Sequence, residues 1–113
     1  MAQEARLICA SARLADGGKG FRFEIPADSG SQSAFVVRHG GQVYGYLNRC
    51  AHIGVELDWL PGEFFEDSGL YLVCTTHGAT YLPDSGMCIA GPCRGARLTQ
   101  LDVFEQDGGV YLK

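Results

Sequence analysis

Two short segments of this chain carry the residue types that bind soft metal ions. Cys50 and His52 are separated by one residue, and Cys74 and His77 are separated by two. The residues between the two segments include no other cysteine or histidine. Thiolate sulfur and imidazole nitrogen suit zinc or an iron–sulfur centre and are poor ligands for magnesium or calcium. Four such ligands can close either a single-metal site or a binuclear cluster.

The distribution of the ligands between the two segments bears on which metal centre they form. A zinc finger usually has both cysteines in one half and both histidines in the other, whereas each half here carries one of each. A [2Fe–2S] cluster with two unlike irons needs this mixture, because two cysteines bind one iron and two histidines bind the other. The pattern therefore favours such a cluster, and a single zinc ion is the alternative.

The sequence resembles the Rieske [2Fe–2S] domain, and the four residues named above carry that resemblance. Gly54 and Gly78 lie just after the two histidines, where the family has glycine so that backbone can approach the cluster without a Cβ atom. Gly91-Pro92-Cys93 is similar to the proline-containing third loop that covers the cluster. The resemblance implies one [2Fe–2S] cluster with the metal ligands Cys50, His52, Cys74 and His77, surrounded by Gly54, Gly78, Tyr81 and Pro92.

Residues close to the second segment bear on the redox potential that the resemblance implies. High-potential members have a tyrosine at the place of Tyr81 that donates to a cluster cysteine; the alternative is a half-buried tyrosine with its hydroxyl in water. Those members also have a serine donor where this chain has Ala79, and a disulfide between the places of Val55 and Thr76. Because donors stabilise the reduced cluster, we expect a potential in the lower half of the Rieske range of about −150 to +300 mV.

The apolar residues fall in short runs separated by glycine-rich turns. Phe21, Phe23 and Ile25 alternate with charged residues as in a half-buried strand, which Pro26 should end, leaving 27–33 as a polar loop. Because no segment shows three turns of amphipathic helix, the sequence predicts an all-β fold. We expect a Rieske-type β-sandwich within a single domain of residues 1–113. An antiparallel base built from both chain ends should carry a small inserted cluster-binding subdomain, about residues 48–95.

The segment between the two ligand pairs is acidic and also carries several aromatic residues. A solvated face is the usual explanation of such a run of acids, and a patch that steers a basic partner is the alternative. We expect Trp59, Phe64 and Phe65 to form a small local core rather than an exposed contact patch. The acidic residues are Glu56, Asp58, Glu63, Glu66 and Asp67.

The remaining cysteines and the third histidine have no predicted metal role. Five cysteines are an odd number, which argues against a disulfide framework. Cys9 suits a small buried apolar position, and His39 suits a solvated turn. Cys88 and Cys93 are interpreted as two reduced thiols in or beside a turn, with a disulfide or a redox-sensitive thiol close to the cluster as the alternative.

Composition excludes several function classes. The 113 residues carry a formal net charge of −4 with no basic cluster, which argues against nucleic-acid binding. The sequence has no apolar run of membrane-spanning length and no secretory or twin-arginine signal, so a cytoplasmic location without membrane contact is expected. No nucleotide fingerprint, small-molecule substrate site or second iron site of two histidines and a carboxylate is visible.

These features predict an electron carrier rather than an enzyme. We expect a soluble Rieske-type ferredoxin that takes one electron from a reductase and passes it to an oxygenase or another redox enzyme. One alternative is the small electron-transfer subunit of a larger redox complex, similar to that of an assimilatory nitrite reductase. A zinc-stabilised binding module without a redox role is the alternative from another class.

Overall fold

The computed structural model describes residues 5–27, 30–49, 56–58, 62–66, 68–74, 78–91 and 95–113. Within these ranges the chain forms ten strands and a one-turn 3-10 helix at Ser11–Arg13. No helix in this part of the chain is long and apolar enough to cross a membrane. The strands are β1 (Arg6–Ala10), β2 (Phe21–Ala27), β3 (Gly30–His39), β4 (Gln42–Leu47), β5 (Leu72–Cys74), β6 (Ala79–Tyr81), β7 (Cys88–Ala90), β8 (Gln100–Leu101), β9 (Val103–Gln106) and β10 (Gly109–Leu112).

The strands form three antiparallel sheets, which confirms the predicted all-β class. Their orders are β1-β10-β9, β2-β3-β4-β8 and β5-β6-β7. In the first sheet the two chain ends pair directly, for example Arg6 with Leu112. All three strands of the third sheet fall within the predicted cluster-binding subdomain, whose limits near residues 48 and 95 stay a prediction.

Strand β3 is covered on both faces and is the centre of the molecule. Its residues Ala34 to Val37 are all fully buried. Phe35 and Val37 belong to a core that includes residues of the third sheet, whereas Ala34 and Val36 belong to a second core shared with the first sheet. A continuous apolar run is typical of a strand buried on both faces, because alternate side chains point to opposite sides.

The first hairpin is longer than the sequence suggested. Strand β2 continues past Pro26, and β3 already begins at Gly30, so the predicted polar loop 27–33 was wrong. Pro26 pairs with Ser31, and the Ser31 hydroxyl donates to the Glu24 carboxylate over 2.9 Å. Strand β2 lies at the edge of its sheet, where a proline can be accommodated without losing a ladder hydrogen bond.

An ion pair links the first two sheets. Both terminal nitrogens of Arg38 donate to the Glu105 carboxylate, over 3.0 and 2.6 Å, and its Nε donates to the Leu14 carbonyl over 2.9 Å. Bidentate pairs of this kind are among the stronger charge-assisted contacts. The hydrogen bonds from Arg38 lower the pKa of Glu105 from 4.5 to about 2.

Candidate metal centre

Of the four predicted ligands, Cys74 lies within the described residues. The other three, Cys50, His52 and His77, lie outside them, as do Gly54 and Pro92. Cys74 is the last residue of β5 and its side chain is fully buried. In this part of the chain no group of three or more potential metal ligands comes together, because three of the four predicted ligands are outside it.

The β5–β6 hairpin holds Cys74 and brings the chain back beside it. Cys74 pairs with Ala79 in the strand register, and the Gly78 N–H donates to the Cys74 carbonyl over 2.7 Å. Gly78 has a φ of +72°, which favours glycine. An added Cβ there would meet no atom of the described residues within 4 Å. The backbone conformation is therefore a reason for this glycine, and the close approach to a cluster that the sequence suggested stays a prediction.

Gly91, the first residue of the predicted third loop, packs on the backbone that follows the second ligand segment. Its φ is +97°, and a Cβ atom on it would lie 2.8 Å from the Ala79 Cα and 3.2 Å from the Gly78 carbonyl oxygen. Only glycine allows this approach without moving backbone. The structure thus brings the start of the third loop to the second ligand segment, although Pro92 and Cys93 lie outside the described residues.

A buried polar network, which sequence reasoning missed, includes Asn48, which precedes Cys50 by two residues in the sequence. Asn48 Nδ2 donates to Asp58 Oδ1 over 2.8 Å, and the Leu57 N–H donates to Asn48 Oδ1 over 2.9 Å. Asp58 Oδ2 accepts from the Gly62 N–H over 2.9 Å and lies 3.5 Å from Arg22 Nε. We call these contacts the Asn48–Asp58 network.

The network corrects the interpretation of the acidic run as a solvated face. Glu56 and Glu63 are exposed, as predicted, whereas the Asp58 side chain is fully buried. No local signal marked this difference, since Glu56 and Asp58 each stand between two apolar residues in the sequence. Asp67 lies outside the described residues.

The comparisons with known proteins bear on what this centre is. The model of the Rieske [2Fe-2S] domain family matches residues 5–105. The chain belongs to the Rieske [2Fe–2S] family. The family match implies one Rieske-type [2Fe–2S] cluster, which confirms the predicted cofactor. A search of curated protein sequences found no match.

Solved structures of ferredoxins share the fold of this Rieske chain. The ferredoxin of carbazole 1,9a-dioxygenase from Nocardioides aromaticivorans IC177 is 22% identical, with a TM-score of 0.72 over 97% of both chains. The Sphingomonas yanoikuyae B1 ferredoxin is also 22% identical, with a TM-score of 0.72 over 97% of this chain and 98% of its own. A chain in a complex of reduced oxygenase and oxidized ferredoxin of carbazole 1,9a-dioxygenase is 24% identical, with a TM-score of 0.73 over 98% of this chain and 94% of its own. At these identities the similarity shows the fold.

The described residues fit a Rieske cluster. A buried thiol at the end of a strand is a suitable thiolate ligand, since a metal ion deprotonates a coordinating thiol. The hairpin that fixes Cys74 returns the chain at Gly78 directly after His77, and Gly91 brings the start of the third loop against that return. At the contact of Gly91 with Gly78 and Ala79 the two backbones approach without room for a side chain, as expected beside a cluster that the third loop covers.

Tyr81 is fully buried in this Rieske domain, so the alternative of a tyrosine with its hydroxyl in water was wrong. It pairs with Leu72 on one side and Cys88 on the other. A buried tyrosine hydroxyl usually has a hydrogen-bond partner. The predicted donor role towards a cluster cysteine stays a prediction. Ala79 is also fully buried and has no side-chain donor to offer.

The other residues singled out in the sequence have mainly packing roles. Phe64 is fully buried and stacks on Phe35, with 3.9 Å between ring centroids, which confirms its place in a core. Trp59 lies outside the described residues. Cys9 is buried as predicted, and burial raises the pKa of its thiol. His39 ends β3 and stacks partly buried on Phe65 instead of lying free in solvent.

Cys88 is buried beside the third loop. Its sulfur donates to the Ala90 carbonyl oxygen over 3.2 Å. Cys93 lies outside the described residues, so both the reduced pair and the disulfide stay predictions.

Proposed function

We propose that this protein is a Rieske-type ferredoxin, a carrier of single electrons between a reductase and an oxygenase or another redox enzyme. The observation that carries the proposal is the match of the Rieske [2Fe–2S] family over residues 5–105. The chain also aligns with nearly the full length of two ferredoxins of the same fold. A carrier of this kind is a non-catalytic component of an oxygenase system and acts without a small-molecule substrate, nucleic acid or membrane, in the cytoplasm.

We propose that Cys50 and Cys74 bind one iron and that His52 and His77 bind the other. When bound, the cluster supplies a one-electron redox couple. Burial of Cys74 supports its role as a ligand, because a desolvated thiolate would need the metal charge beside it. Gly54, Gly78, Tyr81 and Pro92 would surround the cluster, on a subdomain of about residues 48–95.

An oxygenase is the acceptor that the comparisons favour. The carbazole 1,9a-dioxygenase structure is described as a complex of oxygenase and ferredoxin, and this chain shares the ferredoxin fold. Glu56 and Glu63 are exposed acids of the segment between the ligand pairs. Exposed acids can steer a partner with a basic surface and accelerate its association at low salt. A reductase would deliver the electron.

Metal and sulfide analysis of anaerobically purified protein tests the cofactor. We expect two irons and two acid-labile sulfides per chain, and a Rieske EPR signal after dithionite reduction. Cys74→Ala should lose the signal, because a ligand is removed. Cys9→Ala is the matched control, since Cys9 is also buried but lies in the other core, and it should keep the cluster. One zinc per chain without sulfide would overturn the proposal in favour of a zinc module.

Electron transfer is tested separately on cluster-loaded protein. A ferredoxin reductase with NADH should reduce the cluster, and the reduced protein should pass its electron to an added acceptor such as cytochrome c. A cluster that is not reduced, or that is reduced but never reoxidised by an acceptor, would contradict the carrier role. Co-purification with a large flavin or haem protein would instead favour a subunit of a larger redox complex.

A further inference from the structure

The Asn48–Asp58 network bridges the two sides of the first ligand segment. Asn48 precedes Cys50 by two residues, and Leu57 and Asp58 follow His52 by five and six residues. The hydrogen bonds Leu57 N–H to Asn48 Oδ1 and Asn48 Nδ2 to Asp58 Oδ1 therefore close a loop whose ends are 48 and 57–58. The loop that carries both proposed ligands is thus tied at its base by side-chain contacts.

The base of this loop is anchored to the central sheet. The Asn48 N–H donates to the Ser33 carbonyl of β3 over 2.9 Å, which continues the register of β4 by one residue. The Asn48 amide also lies 3.3 Å from the Ser33 hydroxyl. From the other side, Arg22 of β2 approaches Asp58. The position of the loop base is therefore set by three consecutive strands of one rigid sheet.

The burial of Asp58 carries a desolvation cost that its contacts must offset. Its side chain is fully buried, while its cationic neighbour Arg22 is 32% exposed and donates over 2.8 Å to the exposed Glu56. Burying a carboxylate costs free energy that an ion pair with one partly solvated cation rarely recovers. Apolar residues at 48 and 58 would serve packing at least as well. Hydrogen bonds between buried polar groups fix one relative position of the residues that carry them, which apolar contacts do not.

We infer that Asn48 and Asp58 are positioning residues for the [2Fe–2S] cluster: they close the base of the first ligand loop and hold Cys50 and His52 in place for metal binding. The inference rests on the proposed ligand assignment. It assigns a role in the site to two residues that do not bind metal. Groups that orient metal ligands from outside the coordination sphere commonly change metal affinity by about 10- to 100-fold when they are removed.

The donors and acceptors of the network allow a sharp test. Asp58→Asn keeps size and shape, but its new amide nitrogen must face either the Asn48 Nδ2 or the Gly62 N–H, so two donors oppose each other. Exchanging the two side chains, as N48D/D58N, restores the hydrogen bonds but not the ion pair with Arg22: residue 48 then accepts from Leu57 N–H and from the new amide at 58, whose oxygen still accepts from Gly62 N–H. The ion pair is absent from both Asp58→Asn and the exchange variant, so their comparison isolates the hydrogen bonds. The exchange therefore separates hydrogen-bond pairing from residue identity.

The experiment measures cluster release from anaerobic holoprotein. An excess of iron chelator is added well below the unfolding temperature, and the loss of visible absorbance is followed, together with the EPR line shape of the reduced cluster. We expect Asp58→Asn to release the cluster about tenfold faster than wild type and N48D/D58N to recover most of the difference. The matched control is Glu56→Gln, which removes the exposed partner of the same arginine and should change the rate by less than about twofold.

Two further variants separate positioning from general stability. Glu105→Gln breaks the Arg38 ion pair between the first and second sheets, away from the network, so it should lower the unfolding temperature and leave the release rate unchanged. Asn48→Ala removes the same amide contact as Asp58→Asn but leaves Asp58 paired with Arg22 and Gly62, so it serves if Asp58→Asn does not fold.

Three results would overturn the inference. Release of the cluster from Asp58→Asn and Asn48→Ala at the wild-type rate would show that the network does not act on the ligand loop. If Glu105→Gln released the cluster as fast as Asp58→Asn, the faster release would be explained by lower stability alone. If the folded N48D/D58N variant released the cluster as fast as Asp58→Asn, hydrogen-bond pairing in the network would not be the cause of the faster release. An absence of iron and sulfide from wild type would instead overturn the ligand assignment itself.

Discussion

Replacing Gly91 by alanine tests whether the third loop depends on close approach to the second ligand segment. The methyl group would lie 2.8 Å from the Ala79 Cα and 3.2 Å from the Gly78 carbonyl oxygen. Both neighbours are backbone atoms of the β5–β6 hairpin, so no flexible side chain can move aside. Gly95, in the same region of the chain, provides a matched control: its φ of +94° is nearly the same as the +97° of Gly91, and no atom of the described residues lies within 4 Å of an added Cβ.

The two substitutions differ only in steric contact. Alanine at a positive φ costs about 1–2 kcal/mol for backbone conformation at either position. At Gly91 the contact with backbone adds about 1–3 kcal/mol, the usual cost of forcing an extra carbon into a packed site. We therefore expect Gly91→Ala to destabilise the protein by about 2–5 kcal/mol and Gly95→Ala by about 1–2 kcal/mol.

Thermal unfolding of cluster-loaded protein under anaerobic conditions measures the difference. For a domain of this size 1 kcal/mol corresponds to about 4 °C in Tm, so Gly91→Ala should unfold about 4–12 °C below Gly95→Ala. The visible absorbance should also disappear at a lower temperature in Gly91→Ala, because the loop displaced is the one predicted to cover the cluster. Equal Tm values for the two variants would refute the steric argument and leave only backbone conformation.

Three further predictions follow from other parts of the chain. Tyr46 donates over 2.6 Å to the Pro83 carbonyl inside the core, so Tyr46→Phe should cost about 1–3 kcal/mol in an unfolding titration; a loss no larger than that of Tyr44→Phe would contradict it. Arg38 lowers the pKa of Glu105 to about 2, so the ionised Glu105 contributes fully to folding stability above pH 4.5 and loses that contribution as the pH falls from 4.5 towards 2. The Tm difference between wild type and Glu105→Gln should therefore shrink over that window. Redox titration should give a midpoint in the lower half of about −150 to +300 mV, and a value near +300 mV would be inconsistent with the missing donor at Ala79.

The sequence by itself determined the chemistry of the centre and the class of the fold. Ligand type and spacing are local properties, so two Cys–His pairs with neighbouring glycines indicated a Rieske cluster without knowledge of distances. Strand alternation is also local, and it located strand β2 from Phe21 to Ile25. The buried run Phe35-Val36-Val37 was recognisable as a strand because β-branched and aromatic residues favour that conformation.

Only the tertiary structure decided which polar residues leave water. Asp58 has the same composition signal as Glu56 and Glu63, and it is buried where the Asn48 side chain and the Gly62 N–H, 10 and 4 residues away in the chain, supply its hydrogen bonds. Pro26 stays in a strand because β2 lies at a sheet edge, a property of strand order rather than of local sequence. Burial and pairing are sums over contacts between distant residues, and a single sequence does not contain those contacts until the sheets are packed together.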